Sequence, residues 1–123
     1  MTFQGMDTVT PMLEEYGALT RAAMQAYLPA GEPHDYLYGP MADYPLRGGK
    51  MMRPSLCIAT AAAFGAPPDR AVRAAVSIEM MHNALLIHDD IEDESETRRG
   101  DETLHVKHGL PIALNVGDAL AMM

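Results

Sequence analysis

Tryptophan is absent from the chain, phenylalanine occurs only twice, and no long run of Val, Ile and Thr is present. Ala, Leu and Met are abundant instead, so helix formers outweigh strand formers and an all-α fold is expected. Basic residues are also scarce: nine Lys and Arg face seventeen Asp and Glu, a formal charge of −8. Without a basic stripe to displace counterions, the charge argues against a nucleic-acid partner. A lone cysteine, Cys57, cannot form an internal disulfide, and its apolar neighbours Leu56 and Ile58 predict a small buried hydrophobe. The longest apolar stretches fall short of the ~20 residues of a membrane helix, and no cationic leader with an apolar core opens the sequence. A cytoplasmic protein without a membrane span is the simplest expectation.

What is present bounds the architecture. The 123 residues, 48% of them hydrophobic and spread along the chain, allow at most one domain with a modest core. Residues 11–28 predict an amphipathic helix with Pro11 in its first turn, and Met12, Leu13, Tyr16, Leu19, Ala23 and Ala26 or Tyr27 forming the apolar stripe. Four of the nine prolines fall in residues 29–49, which therefore read as a connecting loop. A second helix is expected from Arg53-Pro54 to Gly65. A third opens at Pro67-Pro68 with Asp69 as N-cap and continues unbroken to about residue 94. Arg98-Arg99-Gly100 reads as a turn, residues 103–108 as a short helix, and Pro111 as the start of a last helix still apolar and periodic at Met123. The chain is expected to stop inside that element.

The charge is uneven, with eight of the seventeen acids between Asp89 and Glu102. Asp89 and Asp93, four residues apart, differ by about 40° around a helix axis and ~6 Å along it, so their carboxylates share a face. Such a pair can hold magnesium, which keeps several waters and takes its other oxygens from phosphates. A solvated helix end is the ordinary alternative. Acids at a helix C-terminus oppose the macrodipole, however, and six of them there (Asp89, Asp90, Glu92, Asp93, Glu94, Glu96) ask for a reason beyond solvation. His82 lies about 20° from the meridian of Asp89, where either a core histidine or a ligand-facing one would sit. Gly48-Gly49-Lys50-Met51-Met52-Arg53-Pro54 puts two cations and two glycines at a helix entrance, a plausible diphosphate cradle or an ordinary solvated turn. It lacks the GxxxxGK[ST] spacing of a nucleotide loop. His88, His105 and His108 have no Cys/His cluster around them, which favours a hard-oxygen site over zinc.

Together these pieces resemble the trans-isoprenyl diphosphate synthases, or polyprenyl synthetases. The resemblance runs through Gly49-Lys50-x-x-Arg53-Pro54, Glu79-Met80-Met81-His82 and Leu86-Ile87-His88-Asp89-Asp90-Ile91-Glu92-Asp93. It continues in Arg98-Arg99-Gly100, Thr103-Leu104-His105 and Gly117-Asp118-Ala119-Leu120, and is strongest over residues 46–121. It implies the N-terminal part of the isoprenoid synthase helical fold, here as five to six helices. The implied reaction is prenyl transfer: an allylic diphosphate ionises and the isopentenyl diphosphate double bond attacks the cation. The implied cofactor is Mg2+, bound by Asp89 and Asp93 with Asp90 supporting. Arg98 would contact the allylic diphosphate, and Lys50, Arg53, His82 and Arg99 that of isopentenyl diphosphate. Asp89, Asp93, Lys50 and Arg99 are the implied catalytic set. Ile78, Met81 and Leu85 are candidates to line the apolar cavity. Leu85 and Ala84, four and five positions before Asp89, leave no aromatic plug, which implies a product of geranylgeranyl length or longer.

The sequence departs from the family pattern in one respect: no second DDxxD follows. Three expectations result. The chain is a truncated or split prenyltransferase, inactive alone and completed by a C-terminal half or as a homo-oligomer. Or it is a non-catalytic subunit of a full-length synthase. Or it is a fragment of a class I terpene cyclase, which Lys50, Arg53 and His82 argue against because cyclases need no isopentenyl site.

Overall fold

In the computed structural model, which describes residues 6–123, six α-helices and one small hairpin follow one another. They are α1 (Met6–Tyr27), α2 (Gly39–Leu46), α3 (Met52–Ala63), α4 (Pro68–Glu92), β1 (Thr97–Arg98), β2 (Asp101–Glu102), α5 (Leu104–His108) and α6 (Leu110–Met122). The all-α expectation holds. Among the described residues no helix is long and apolar enough to cross a membrane.

α4 is the central post, packed against α1, α3 and α6. Its buried positions include Ala75, Val76, Met80, Ala84 and Ile87, which recur at three- and four-residue spacing and face neighbours on more than one side. Around them Met24, Met41, Tyr44, Met51, Leu104, Val116 and Leu120 close the main core. Proline punctuates as expected: Pro54 lies in the first turn of α3, and α4 begins at Pro68. Pro67 rather than Asp69 is the N-cap of α4, and no side chain caps it. Asp69 sits inside the first turn and favours the helix through the dipole alone.

Four local expectations are corrected. α1 begins at Met6, so Pro11 stands inside the helix rather than in its first turn. Its buried face is also rotated: Gly17, Thr20 and Met24 are buried, while Leu19 and Tyr27 are exposed. Close packing favours that face: a Cβ on Gly17 would lie 3.1 Å from the Met51 Cβ, tighter than an ordinary contact, so glycine lets α1 lie closely against the entrance of α3. Residues 29–49 are not a loop throughout, since a π-helical segment, His34–Tyr38, runs directly into α2. Pro40 takes the second position of α2, where proline needs no partner, and burial of Met41, Tyr44 and Pro45 holds the rest. Cys57 is half-buried, at the edge of the smaller cluster around Ile58, not deep in the core.

Candidate active site

The C-terminal end of α4 divides its carboxylates between two environments. Asp89 and Asp93 are exposed, one turn apart, with the Asp89 side chain 59% accessible. Asp90 points inward at 1% exposure, and both its oxygens are engaged. Arg98 grips it with two donors, Nε to Oδ2 and Nη2 to Oδ1, each at 2.7 Å, and the Tyr44 hydroxyl donates to Oδ2 at 2.6 Å. A buried carboxylate this well supplied with donors offsets its desolvation, and the acidic helix end is stable for that reason. The same pair holds the Arg98 guanidinium above its ordinary range. Arg98 Nη2 also reaches to 3.9 Å from Asp89 Oδ2, so it lies beside the exposed carboxylates.

Arg98 and Arg99 arrive there on a two-residue hairpin in which Thr97 pairs with Glu102 and Arg98 with Asp101. The turn residues Arg99 and Gly100 have φ of 52° and 82°, as the tight hairpin requires. Left-handed backbone at a non-glycine costs about 1–2 kcal/mol, and Arg99 bears it while its side chain reaches the carbonyls of Tyr44 and Gly48. Arg47, unremarked in the sequence, props the hairpin from beneath. Its guanidinium lies 4.7 Å over the Tyr44 ring, pairs with Asp43, and donates to the carbonyls of Arg98 at 3.0 Å and Glu102 at 2.7 Å.

The second group of predicted residues converges as well. Gly49, Lys50, Arg53, Glu79, His82 and Arg99 line one cavity of about 300 Å³. They come from the turn before α3, from α3, from α4 and from the hairpin, so the fold assembles what the sequence scatters. Gly48 and Gly49 sit at φ of 87° and 148°, and a Cβ on Gly49 would lie 3.2 Å from Arg99 Nη2. Glycine is therefore required at 49 for conformation and for close approach. Arg99 donates to the carbonyls of Tyr44, at 3.3 Å, and Gly48. Arg53 Nη1 stands 3.4 Å from His82 Nε2, and Lys50 has no hydrogen bond or ion pair among the described residues. The field is positive, and it shows in the titration of His82, which is pushed down by burial first and then by Arg53, Arg99 and Arg98. Glu79, 5% exposed, is the one acid in the wall; burial raises its carboxyl, while Asn83, Arg99, Arg53 and Arg21 pull the other way.

Beside this cavity lies a more apolar one of about 360 Å³, lined by Ile78, Met81 and Leu85 together with Ser77, Arg53 and His82. The three apolar residues expected to line a cavity thus share a surface, open to solvent in these 123 residues. Ala84 faces the core instead. His88 does not join His105 or His108; it pairs with Asp118 at 3.2 Å and lies against Gly117, where a Cβ would come within 2.7 Å of its Nε2.

Among the described residues no three His, Cys, Asp or Glu side chains form a complete metal shell. Asp89 and Asp93 remain as two exposed hard-oxygen donors at one edge. That donor set suits magnesium, which is commonly held by one or two carboxylates while water and phosphate fill its other positions.

Known proteins resemble the chain closely. The polyprenyl synthetase family model matches residues 34–123. A geranylgeranyl pyrophosphate synthase of Geoglobus acetivorans is 37% identical over 112 residues, 91% of this chain and 35% of that protein. A geranylgeranyl diphosphate synthase of Sulfolobus acidocaldarius is 45% identical over 73 residues, 59% of this chain and 22% of its own. The solved geranylgeranyl pyrophosphate synthetase of Pyrococcus horikoshii superposes on 97% of this chain with a TM-score of 0.90 and 36% identity, using 36% of its length. The chain therefore spans 22–36% of the length of these relatives.

Proposed function

The chain belongs to the polyprenyl synthetase family, and on that footing we propose that it carries the diphosphate-binding front of a prenyltransferase joining an allylic diphosphate to isopentenyl diphosphate. The observation that supports this most is the cavity gathering Lys50, Arg53, His82 and Arg99 one hairpin residue away from Arg98. Two anion sites side by side are what a condensation of two diphosphates needs. A cyclase, which needs no isopentenyl site, would have no use for the second.

Asp89 and Asp93 would hold magnesium on the allylic side, with Arg98 beside them, and the ion would supply positive charge for the departing diphosphate. We assign Asp90 to holding Arg98 rather than to the metal, since both its oxygens are engaged within the protein. Lys50, Arg53, His82 and Arg99 bind the diphosphate of isopentenyl diphosphate. The neutral His82 imidazole donates a hydrogen bond, and becomes cationic more readily once a dianion sits next to it. Ile78, Met81 and Leu85 form one wall of an apolar channel for the growing chain, and further wall must come from outside these 123 residues to exclude water from a carbocation.

The test is direct. Alone, the chain is expected to bind isopentenyl diphosphate but not to turn over geranyl or farnesyl diphosphate with it and magnesium; adding a polypeptide bearing a second acidic motif restores product. Full turnover by the chain alone would contradict this division of the site, and failure to bind isopentenyl diphosphate would contradict the reading altogether.

A further inference from the structure

Tyr44 belongs to no motif that the sequence displays, yet it binds Arg99 directly and the two residues, Asp90 and Arg47, that hold the rest of the hairpin delivering the two arginines. It is 1% exposed and anchored at each of its polar atoms. Its hydroxyl donates to Asp90 Oδ2 at 2.6 Å and accepts from the Leu104 N–H at 3.3 Å, at the start of α5. Its ring carries Arg47, whose guanidinium holds the backbone of both strands through the carbonyls of Arg98 and Glu102. Its own carbonyl receives Arg99 Nη1. A tyrosine serving only to fill space would gain nothing from a short bond to a buried carboxylate, since phenylalanine fills the same volume without having to satisfy a hydroxyl.

The bond has a specific consequence for Arg98. Arginine side chains are long and rotamer-rich, and an unrestrained one would sample many orientations from the tip of a short hairpin. Arg98 is held in one by its two-point grip on Asp90, and Asp90 is itself held by the tyrosine hydroxyl. The sequence of restraint runs from Tyr44 to Asp90 to Arg98, and ends 3.9 Å from Asp89. We propose that Tyr44 is a positioning residue for the magnesium-dependent diphosphate site: its hydroxyl, acting through Asp90, aims the Arg98 guanidinium at a diphosphate that magnesium would link to Asp89 and Asp93. This rests on the function proposed above, and it adds a residue from α2 to the machinery, with a role in orientation rather than in contact.

Tyr44→Phe removes the hydroxyl and leaves the ring, the Arg47 stack and the Tyr44 carbonyl in place. The folded variant, checked by circular dichroism, is expected to bind magnesium pyrophosphate about tenfold more weakly by calorimetry, the loss expected for one hydrogen bond to a charged group. Its affinity for pyrophosphate without magnesium, at the Lys50 cavity, should stay within twofold. The Arg98 Nε–H proton should also exchange faster with solvent, which a purely space-filling role would not alter. Equal affinity for magnesium pyrophosphate in the folded variant overturns the inference. Should Tyr44→Phe not fold, the wild-type chain decides: its Arg98 Nε–H should already be protected from solvent exchange before magnesium pyrophosphate is added, and a freely exchanging Arg98 Nε–H overturns the inference as well. If the wild-type chain binds no magnesium pyrophosphate, the reading of the site fails and this inference with it; if it binds and the Tyr44→Phe chain binds as tightly, only the inference fails.

Discussion

The two halves of the candidate site hold charge in opposite ways. On the Asp89 side every cation is already paired: Arg98 is bonded to buried Asp90, and Arg47 to Asp43 and the hairpin carbonyls. On the Lys50 side the cations are largely unspent, with Lys50 unpaired among the described residues and Arg53 touching only His82 at 3.4 Å. The difference teaches what each half is suited to hold. Unspent cations around a cavity attract a bare diphosphate. Exposed carboxylates beside a restrained arginine repel one until a divalent ion bridges them. One half is therefore a stability element, and the cations of the other can be altered at little cost to stability.

The sharpest break of that comparison comes from Asp90. Asp90→Ala strands a half-buried arginine and a buried phenol hydroxyl, so urea denaturation should show a loss of about 3 kcal/mol. A loss no larger than that of a surface substitution would mean that the pairing is not structural. Arg53→Ala should behave conversely, leaving stability within about 0.5 kcal/mol while weakening pyrophosphate binding about ten- to thirtyfold in calorimetry. Gly49→Ala falls between the two. Its φ of 148° and its 3.2 Å approach to Arg99 predict a cost of about 1–2 kcal/mol in thermal denaturation, together with a displaced Arg99 side-chain signal.

The smallest effect tests the acid in the cationic wall. Burial holds the Glu79 carboxyl above its ordinary 4.5, so folded and unfolded chains both carry its proton below that value. As pH rises past it the unfolded chain releases its proton first, and the contribution of Glu79 to stability falls until the folded-state value is passed. Glu79→Gln removes that loss. The variant should therefore melt slightly higher than the parent at neutral pH and no higher at acidic pH below 4.5. A lower melting temperature at neutral pH would show instead that the carboxylate is held charged by Arg53 and Arg99.

The sequence discloses these regions unequally, for physical reasons. α3 and α4 are legible because Pro54, Gly65 and Pro68 mark their ends and nothing breaks the stretch between. The convergence of Lys50, Arg53, His82 and Arg99 is legible only as a resemblance, since no local periodicity relates residues up to 49 positions apart. Tyr44 and Arg47 were hidden in a proline-rich segment that reads as loop. Their partners Asp90, Arg98 and Glu102 lie 46 to 55 residues away, and only folding brings them together. The inward turn of Asp90 was equally invisible, because three neighbouring acids look alike until the hairpin packs on one of them. α1 misled through Gly17, where a close approach outranked hydrophobicity in choosing the buried face.

The central claim is that the chain bears two separable diphosphate sites, one dependent on magnesium and one independent of it. Calorimetric titration of the chain with inorganic pyrophosphate, with and without magnesium, measures this in a single experiment. The account predicts two bound pyrophosphates with the ion and one without it, Asp89→Asn with Asp93→Asn abolishing only the first and Lys50→Ala with Arg53→Ala only the second. One site in all conditions, or two sites that both pairs of substitutions weaken alike, would contradict it.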